Sequence, residues 1–197
     1  MSEQSVMEQA LGQQWQELPI VIQNMYHLPT HTDQEISMSG TMSVNFPTFM
    51  YPLILAGRFF GAMISKRGTN ITGSVLKKSK SDSNALYWSR LLSYSDGKTI
   101  IFNSRMEYFK AGELIEYVRF GLGLKLKVSV VNNQLIYHSN GYTWRPFCNW
   151  LKLPDWLFYG HALITEQVVD NKMKLNFTIT HPLYGKSYEY YGIFNLS

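Results

Sequence analysis

Residues 161–196 read HALITEQVVDNKMKLNFTITHPLYGKSYEYYGIFNL, and their alternation decides the fold. Apolar and polar residues alternate with period two on both sides of Asp170-Asn171, a pair that tolerates the positive φ of a two-residue hairpin loop. Such a loop sets Leu175 opposite Glu166. Ala162, Ile164, Glu166 and Val168 then share a face with Leu175, Phe177, Ile179 and His181, while Thr165, Gln167, Lys174, Asn176, Thr178 and Thr180 take the other. A carboxylate on a face that is otherwise core must be paired, protonated or in contact with a polar cavity, because an unpaired buried charge is very unfavourable. Glu166 therefore points to a lined interior in place of a solid one.

The same alternation runs back through 33–46, 70–78, 85–94, 98–108, 113–120, 123–131, 134–144, 160–169 and 172–181, and forward through 186–195. Asp96-Gly97 and Asn132-Asn133 suit two-residue hairpin turns, and Lys110-Ala111-Gly112 suits a three-residue loop ending in a left-handed glycine. Gly40 reads as a bend or bulge in the first strand. In front of the strands, Met7, Leu11, Trp15 and Leu18 recur at helical spacing, Pro19 breaks the run, and Ile20 to Leu28 starts a second helix. A sheet this long curls. The expected fold is mainly β, one domain over 1–197: an antiparallel meander of nine or ten strands over 70–196 and 33–46, curled into a barrel or half-barrel. A helical segment over 5–28 and an apolar helix over 46–64 cap it.

Length and composition narrow the function classes. A chain of 197 residues buries a real core without disulfides, and one cysteine, Cys148, excludes an internal disulfide framework and a multi-cysteine metal site. A formal charge of +4 with 16% charged residues is too mild and too scattered for a nucleic-acid footprint. The one dense cluster, Lys77, Lys78 and Lys80, reads as a solvated loop. The opening MSEQSVMEQALGQQWQEL has no basic leader followed by an apolar run, so a cytoplasmic or membrane-peripheral location is expected. FPTFMYPLILAGRFFGAMI, residues 46–64, is broken by prolines, glycines and Arg58, and reads as a buried or interfacial helix. The most aromatic stretch, WRPFCNWLKLPDWLFYG over 144–160, reads as a lid; exposed, it would offer Trp150, Trp156 and Phe158 to a partner or a membrane.

Two constellations carry candidate chemistry. A two-residue turn at Asp96-Gly97 places Trp88 opposite Arg105, and an odd register in the next hairpin brings Glu116 to the same face, giving Trp88, Arg90, Arg105 and Glu116 together. Guanidinium forks suit bidentate recognition of carboxylate or phosphate, and the indole adds a cation–π contact. The plainer reading is a solvated cross-strand ion-pair network. Glu166 and His181 form the second group, either an acid/base pair or a satisfied core contact. The sequence holds no histidine or carboxylate spacing suited to zinc or calcium, no phosphate-binding glycine loop and no nucleophile elbow, so no cofactor is expected.

An ordered set of residues resembles a known family: LGxxWxxLP at Leu11 to Pro19, W-x-R at Trp88 to Arg90, Ser104-Arg105, Leu114 to Glu116, Leu153-Pro154, Glu166, and HPLYGxxxxYxG from His181 to Gly192. The chain resembles, over 11–196, a bacterial family filed as a domain of unknown function, found alone or fused behind dinucleotide-binding domains of the saccharopine-dehydrogenase type. In this chain Tyr191-Gly192-Ile193 replaces that family's more usual basic residue, glycine and aromatic. The resemblance implies no activity. It implies that Arg90, Arg105, Glu116, Glu166 and His181 belong to one polar site, and its fusions imply a redox enzyme as partner.

The expected function is non-enzymatic binding of a small amphipathic, fatty-acid-like or isoprenoid-like ligand in a barrel cavity, with Trp88, Arg90, Arg105, Glu116, Glu166, His181 and Tyr190 around it. The first alternative is an enzyme acting on such a ligand through Glu166 and His181. The second is an interaction or peripheral membrane module beside a redox enzyme.

Overall fold

A computed structural model of the chain describes residues 4–145, 151–153 and 159–196, with the backbone alone for 151–153 and Leu196. Ten of its strands close an antiparallel barrel: β1 (Glu35–Asn45), β2 (Gly68–Lys80), β3 (Ser83–Ser93), β4 (Thr99–Lys110), β5 (Glu113–Tyr117), β6 (Leu122–Val131), β7 (Gln134–Trp144), β9 (His161–Val169), β10 (Lys172–His181) and β11 (Gly185–Leu196). The order around the wall is β6-β5-β4-β3-β2-β1-β11-β10-β9-β7, and pairing of β7 with β6 shuts it. Closure leaves no exposed edge among these ten strands, which removes the row of unpaired amides that an open sheet presents. A short β8 (Leu151–Leu153), absent from the sequence reading, adds to β7.

The turns follow their residues. Asn132, Asn133, Asp170 and Asn171 all take positive φ, and Leu175 lies opposite Glu166 as the two-residue loop requires. Ala162, Ile164, Glu166, Phe177, Ile179 and His181 are buried, so the face assignment of the terminal hairpin holds. The Asp96-Gly97 hairpin does not follow the expectation. Tyr94 donates its N–H to the Lys98 carbonyl and Gly97, at φ +80°, donates to the Tyr94 carbonyl, which makes a three-residue loop. Trp88 therefore pairs with Ser104, and Tyr87 with Arg105. The next hairpin is shifted too: Met106 faces Glu116. A slip of one residue sends every side chain of a strand to the opposite face.

Gly40 is neither bend nor bulge. It marks the closest approach of β1 to β11, where a Cβ would lie 1.9 Å from the Ile193 carbonyl oxygen, and the bulge falls between Met42 and Val44.

Helices close both ends. At one, α1 (Val6–Leu11), started by a Ser5–Glu8 capping box, leads through a 3₁₀ turn (Gly12–Glu17) into α2 (Ile20–Tyr26), which packs on β9 and β10. Their buried Met7, Trp15, Ile22 and Met25 join the barrel core. At the other end the apolar window is helical only over α3 (Tyr51–Phe59), after a 3₁₀ turn at Thr48–Met50. Pro52 fits its first turn, and residues 60–67 continue as a loop. Among the described residues no helix is long and apolar enough to cross a membrane. Cys148, Trp150, Trp156 and Phe158 lie outside the described residues.

Candidate functional site

The interior is apolar with a polar floor. The barrel holds a cavity of about 130 Å³, lined by five methionines (Met38, Met42, Met63, Met106 and Met173), by branched and aromatic side chains, and by Trp88, Arg90, Glu116, Glu166 and Tyr190. Methionine is flexible and fills irregular space, so this wall yields to a guest more readily than a wall of valine and isoleucine.

The floor is built where α2 meets the wall. Tyr26 ends α2, and its hydroxyl donates to Glu166 Oε1 on β9 at 2.8 Å while accepting from the Tyr137 hydroxyl on β7 at 2.9 Å. Lys77 reaches the same place from β2. Its side chain is 0% exposed, and its ammonium donates to the Met25 carbonyl at 2.9 Å, one of the carbonyls that the last turn of α2 leaves without a helical partner. The ammonium also lies over the Tyr26 ring at 3.3 Å and the Trp88 ring at 4.3 Å. One cation thus ties the helical plug to the barrel.

Burial governs the charges here. Loss of water pushes the Lys77 ammonium down to about 7, opposed by Glu166 and assisted by Arg90. Burial pushes the Glu166 carboxyl up, opposed by Lys77, the Tyr26 hydroxyl and Arg90. Tyr26 and Tyr137 are held well above the ordinary phenol range by burial and by the nearby carboxylate. Glu166 is 4% exposed, yet among the described residues only one of its oxygens is bonded: Oε2 is buried without a partner there, and so is the indole Nε1 of Trp88.

A second polar group sits higher on the wall. Arg90 Nη2 donates to Glu116 Oε1 at 3.0 Å, its Nη1 donates to Ser104 Oγ at 2.9 Å, and the Ser104 hydroxyl donates to the same Glu116 oxygen at 2.6 Å. The guanidinium lies over the Trp88 ring at 4.4 Å and the Phe102 ring at 4.9 Å. The Arg90 charge is thus balanced inside the wall by Glu116, with two of its five N–H donors engaged by Glu116 and Ser104.

Of the seven residues expected around a ligand, Trp88, Arg90, Glu116, Glu166 and Tyr190 line the cavity, the last stacked on Phe177 at 4.6 Å. The structure moves Arg105 outside. The extra loop residue before β4 turns it to the surface, where it is 46% exposed and pairs with Glu107 at 3.0 Å. Ser104 takes the inward place. Arg105→Met should therefore shift stability by less than about 1 kcal/mol in urea denaturation, the range of an exposed pair. His181 is not brought to Glu166 either: it lies six residues along β10 from Leu175, the partner of Glu166, which is roughly 20 Å at ~3.3 Å per residue. Its ring stacks on Tyr184 and its Nδ1 accepts from the Leu183 N–H. An acid/base pair of Glu166 and His181 is not formed.

Lys77, expected in a solvated loop, is instead buried within β2, and Tyr26, Ser104 and Tyr137 join the interior without having been expected around a ligand. Lys77 was legible in part, since Ile71, Val75 and Lys77 share one parity along β2 and all three are buried. Its neighbours Lys78 and Lys80 masked that signal. Nothing local marks Tyr26, which matters because α2 inserts.

A family model described as "Domain of unknown function (DUF4166)" matches residues 18–194. No curated protein and no solved structure matches the chain.

Proposed function

We propose that this chain, which belongs to the family Domain of unknown function (DUF4166), is a non-catalytic binding protein whose barrel holds a small, largely apolar molecule with one neutral hydrogen-bonding head at Glu166 and Trp88. The observation that carries this reading is the pair of buried polar atoms, Glu166 Oε2 and Trp88 Nε1, that have no partner among the described residues and belong to side chains lining a largely apolar cavity. Leaving such atoms unmatched costs about 1–3 kcal/mol each, and a guest that matches them recovers it. Apolar walls with a few orienting groups are the usual make-up of a small-molecule site.

Head chemistry follows from the charges. A carboxylate guest is disfavoured, because the Arg90 charge is already balanced by Glu116, and Lys77 is closed off behind the rings of Tyr26 and Trp88. It would also meet Glu166. A hydroxyl both donates and accepts, so it suits the Glu166 oxygen in either protonation state as well as the indole N–H. The resting volume, about 130 Å³, is near that of an engineered cavity of ~150 Å³ known to take up benzene, and a shift of the methionine wall would uncover the two buried atoms to the head of a ring-sized alcohol.

Native mass spectrometry of gently purified protein should show a co-purifying small apolar species. In calorimetric titration, cyclohexanol is expected to bind at least about tenfold more tightly than cyclohexanecarboxylate, and Glu166→Leu to remove that preference. Preference for the carboxylate, or no binding of either by ligand-stripped protein, would overturn the assignment.

A further inference from the structure

The α3 end of the barrel carries an apolar surface that the barrel itself does not cover. Tyr51, Leu55 and Phe59 recur at four-residue spacing along α3 and are all exposed, while Ile54 and Gly57 on its other side are buried. The helix thus carries apolar residues on both sides, where packing on a barrel needs only the inward stripe. Phe59 is 65% exposed and stacks at 5.3 Å on Phe120, itself 61% exposed. Phe120 also has a φ of +58°, the left-handed region that bulky side chains avoid. Backbone strain at such a position, spent on holding an aromatic ring in water, is a mark of function in general. Phe49, also exposed, extends the surface through its ring contact with Tyr184.

Among the described residues, the charged side chains on α3, in the loop after it and next to Phe120 are cationic. Arg58, Arg67 and Arg119 are exposed, and none pairs with a described carboxylate; Arg58 donates to the Ser65 hydroxyl, and Arg67 donates to the Thr48 hydroxyl and lies over the Phe46 ring at 4.7 Å. Arg119 is fixed beside Phe120 by its backbone bond to Phe60. Two carboxylates at this end of the barrel, Asp96 and Glu189, are each engaged by a lysine, Lys66 and Lys186. Aromatic and leucine side chains flanked by arginines that no described carboxylate neutralises match the interfacial region of an anionic bilayer, which takes apolar rings at the acyl boundary and cations at the headgroups. Ala62, Met63, Val118 and Leu122, immediately beside these elements, line the cavity.

We propose that the α3 end is a membrane-docking face, which inserts Phe59 and Phe120 into an anionic lipid bilayer and presents the adjoining end of the barrel cavity to it. The inference stands on the surface alone and does not depend on the identity of any guest. Co-sedimentation of the full chain with phosphatidylcholine vesicles, with and without phosphatidylserine, tests it. Binding should require phosphatidylserine, fall as salt is raised, and weaken roughly fivefold with each of Arg58→Gln and Arg119→Gln. Phe59→Ser with Phe120→Asn should weaken it by at least about tenfold while leaving the circular dichroism spectrum and thermal midpoint in place, because both rings are exposed and asparagine accepts positive φ. Absence of wild-type binding to anionic vesicles, or equal binding by the double variant, would overturn the proposal. So would concentration-dependent dimerisation of the wild type that the same double variant abolishes without any vesicle binding, since the occupant would then be a second copy of the chain.

Discussion

Arg90→Met should destabilise the barrel by about 3 kcal/mol in urea denaturation at neutral pH, several times the effect of the same change at Arg105. The substitution keeps an unbranched side chain of similar reach but removes the guanidinium. That strands the Glu116 carboxylate against an apolar wall with Ser104 as its one remaining donor. Both members of the pair are mostly buried, with side-chain exposures of 17% and 15%, so water compensates little. Removing the stranded charge as well should reverse much of the loss: Arg90→Met with Glu116→Leu is expected to regain roughly 2 kcal/mol, a coupling that only groups in direct contact show. Recovery stays incomplete because Arg90 also covers the faces of Trp88 and Phe102. A single-variant effect below about 1 kcal/mol would mean that the guanidinium is hydrated and the interior pair contributes nothing.

Stability should rise between about pH 7 and pH 9 by roughly 2 kcal/mol, and Lys77→Met should flatten that rise. Burial lowers the Lys77 ammonium from 10.5 to about 7 in the folded protein. In the unfolded chain it keeps its proton up to about 10.5. Over this window the unfolded state therefore binds more protons, and folding gains about 1.4 kcal/mol per pH unit at most. The contribution is fully present only above the unfolded value and is lost as pH falls toward 7. Glu166 acts with the opposite sign. Its raised carboxyl pKa contributes stability at pH below the unfolded value of 4.5, lost as pH rises through the folded one. Tyr26 and Tyr137, held protonated in the fold, lower stability once the unfolded phenols ionise near 10, which is why the measurement stops at pH 9. A wild-type profile as flat as that of Lys77→Met would show that Lys77 retains water and its ordinary pKa.

The wall of this barrel was legible from local pattern. Period-two alternation located the ten barrel strands, and Asn132-Asn133 and Asp170-Asn171 set two hairpin registers because only a few residue types accept positive φ twice in succession. Glu166 was legible as a carboxylate facing the interior, since its neighbours of the same parity are apolar. Arg90 lines the cavity while Arg105 lies at the surface, and the expectation that both face one way fails by one residue of loop. Asp96-Gly97 is compatible with a two-residue turn and with the three-residue loop that forms, and local preference does not separate them. The choice is made by which face of β4 the closed barrel buries: Phe102, Ser104 and Met106 go in, and Arg105 goes out.

What the sequence determined by itself, then, is everything set by neighbours in the chain: strand identity, most turns, the alternation of faces and the presence of one acidic interior position. Tertiary structure alone decided how those faces meet. Tyr26 joins Glu166 across 140 residues, Lys77 joins the end of α2 across 52, and Tyr137 joins Tyr26 across 111. No periodicity encodes such contacts, because each depends on where closure of the sheet carries a strand relative to a helix that plugs it. The physical reason is that hairpin geometry acts over a few residues, whereas a buried ion or hydroxyl is satisfied by whatever the closed barrel brings within about 3 Å.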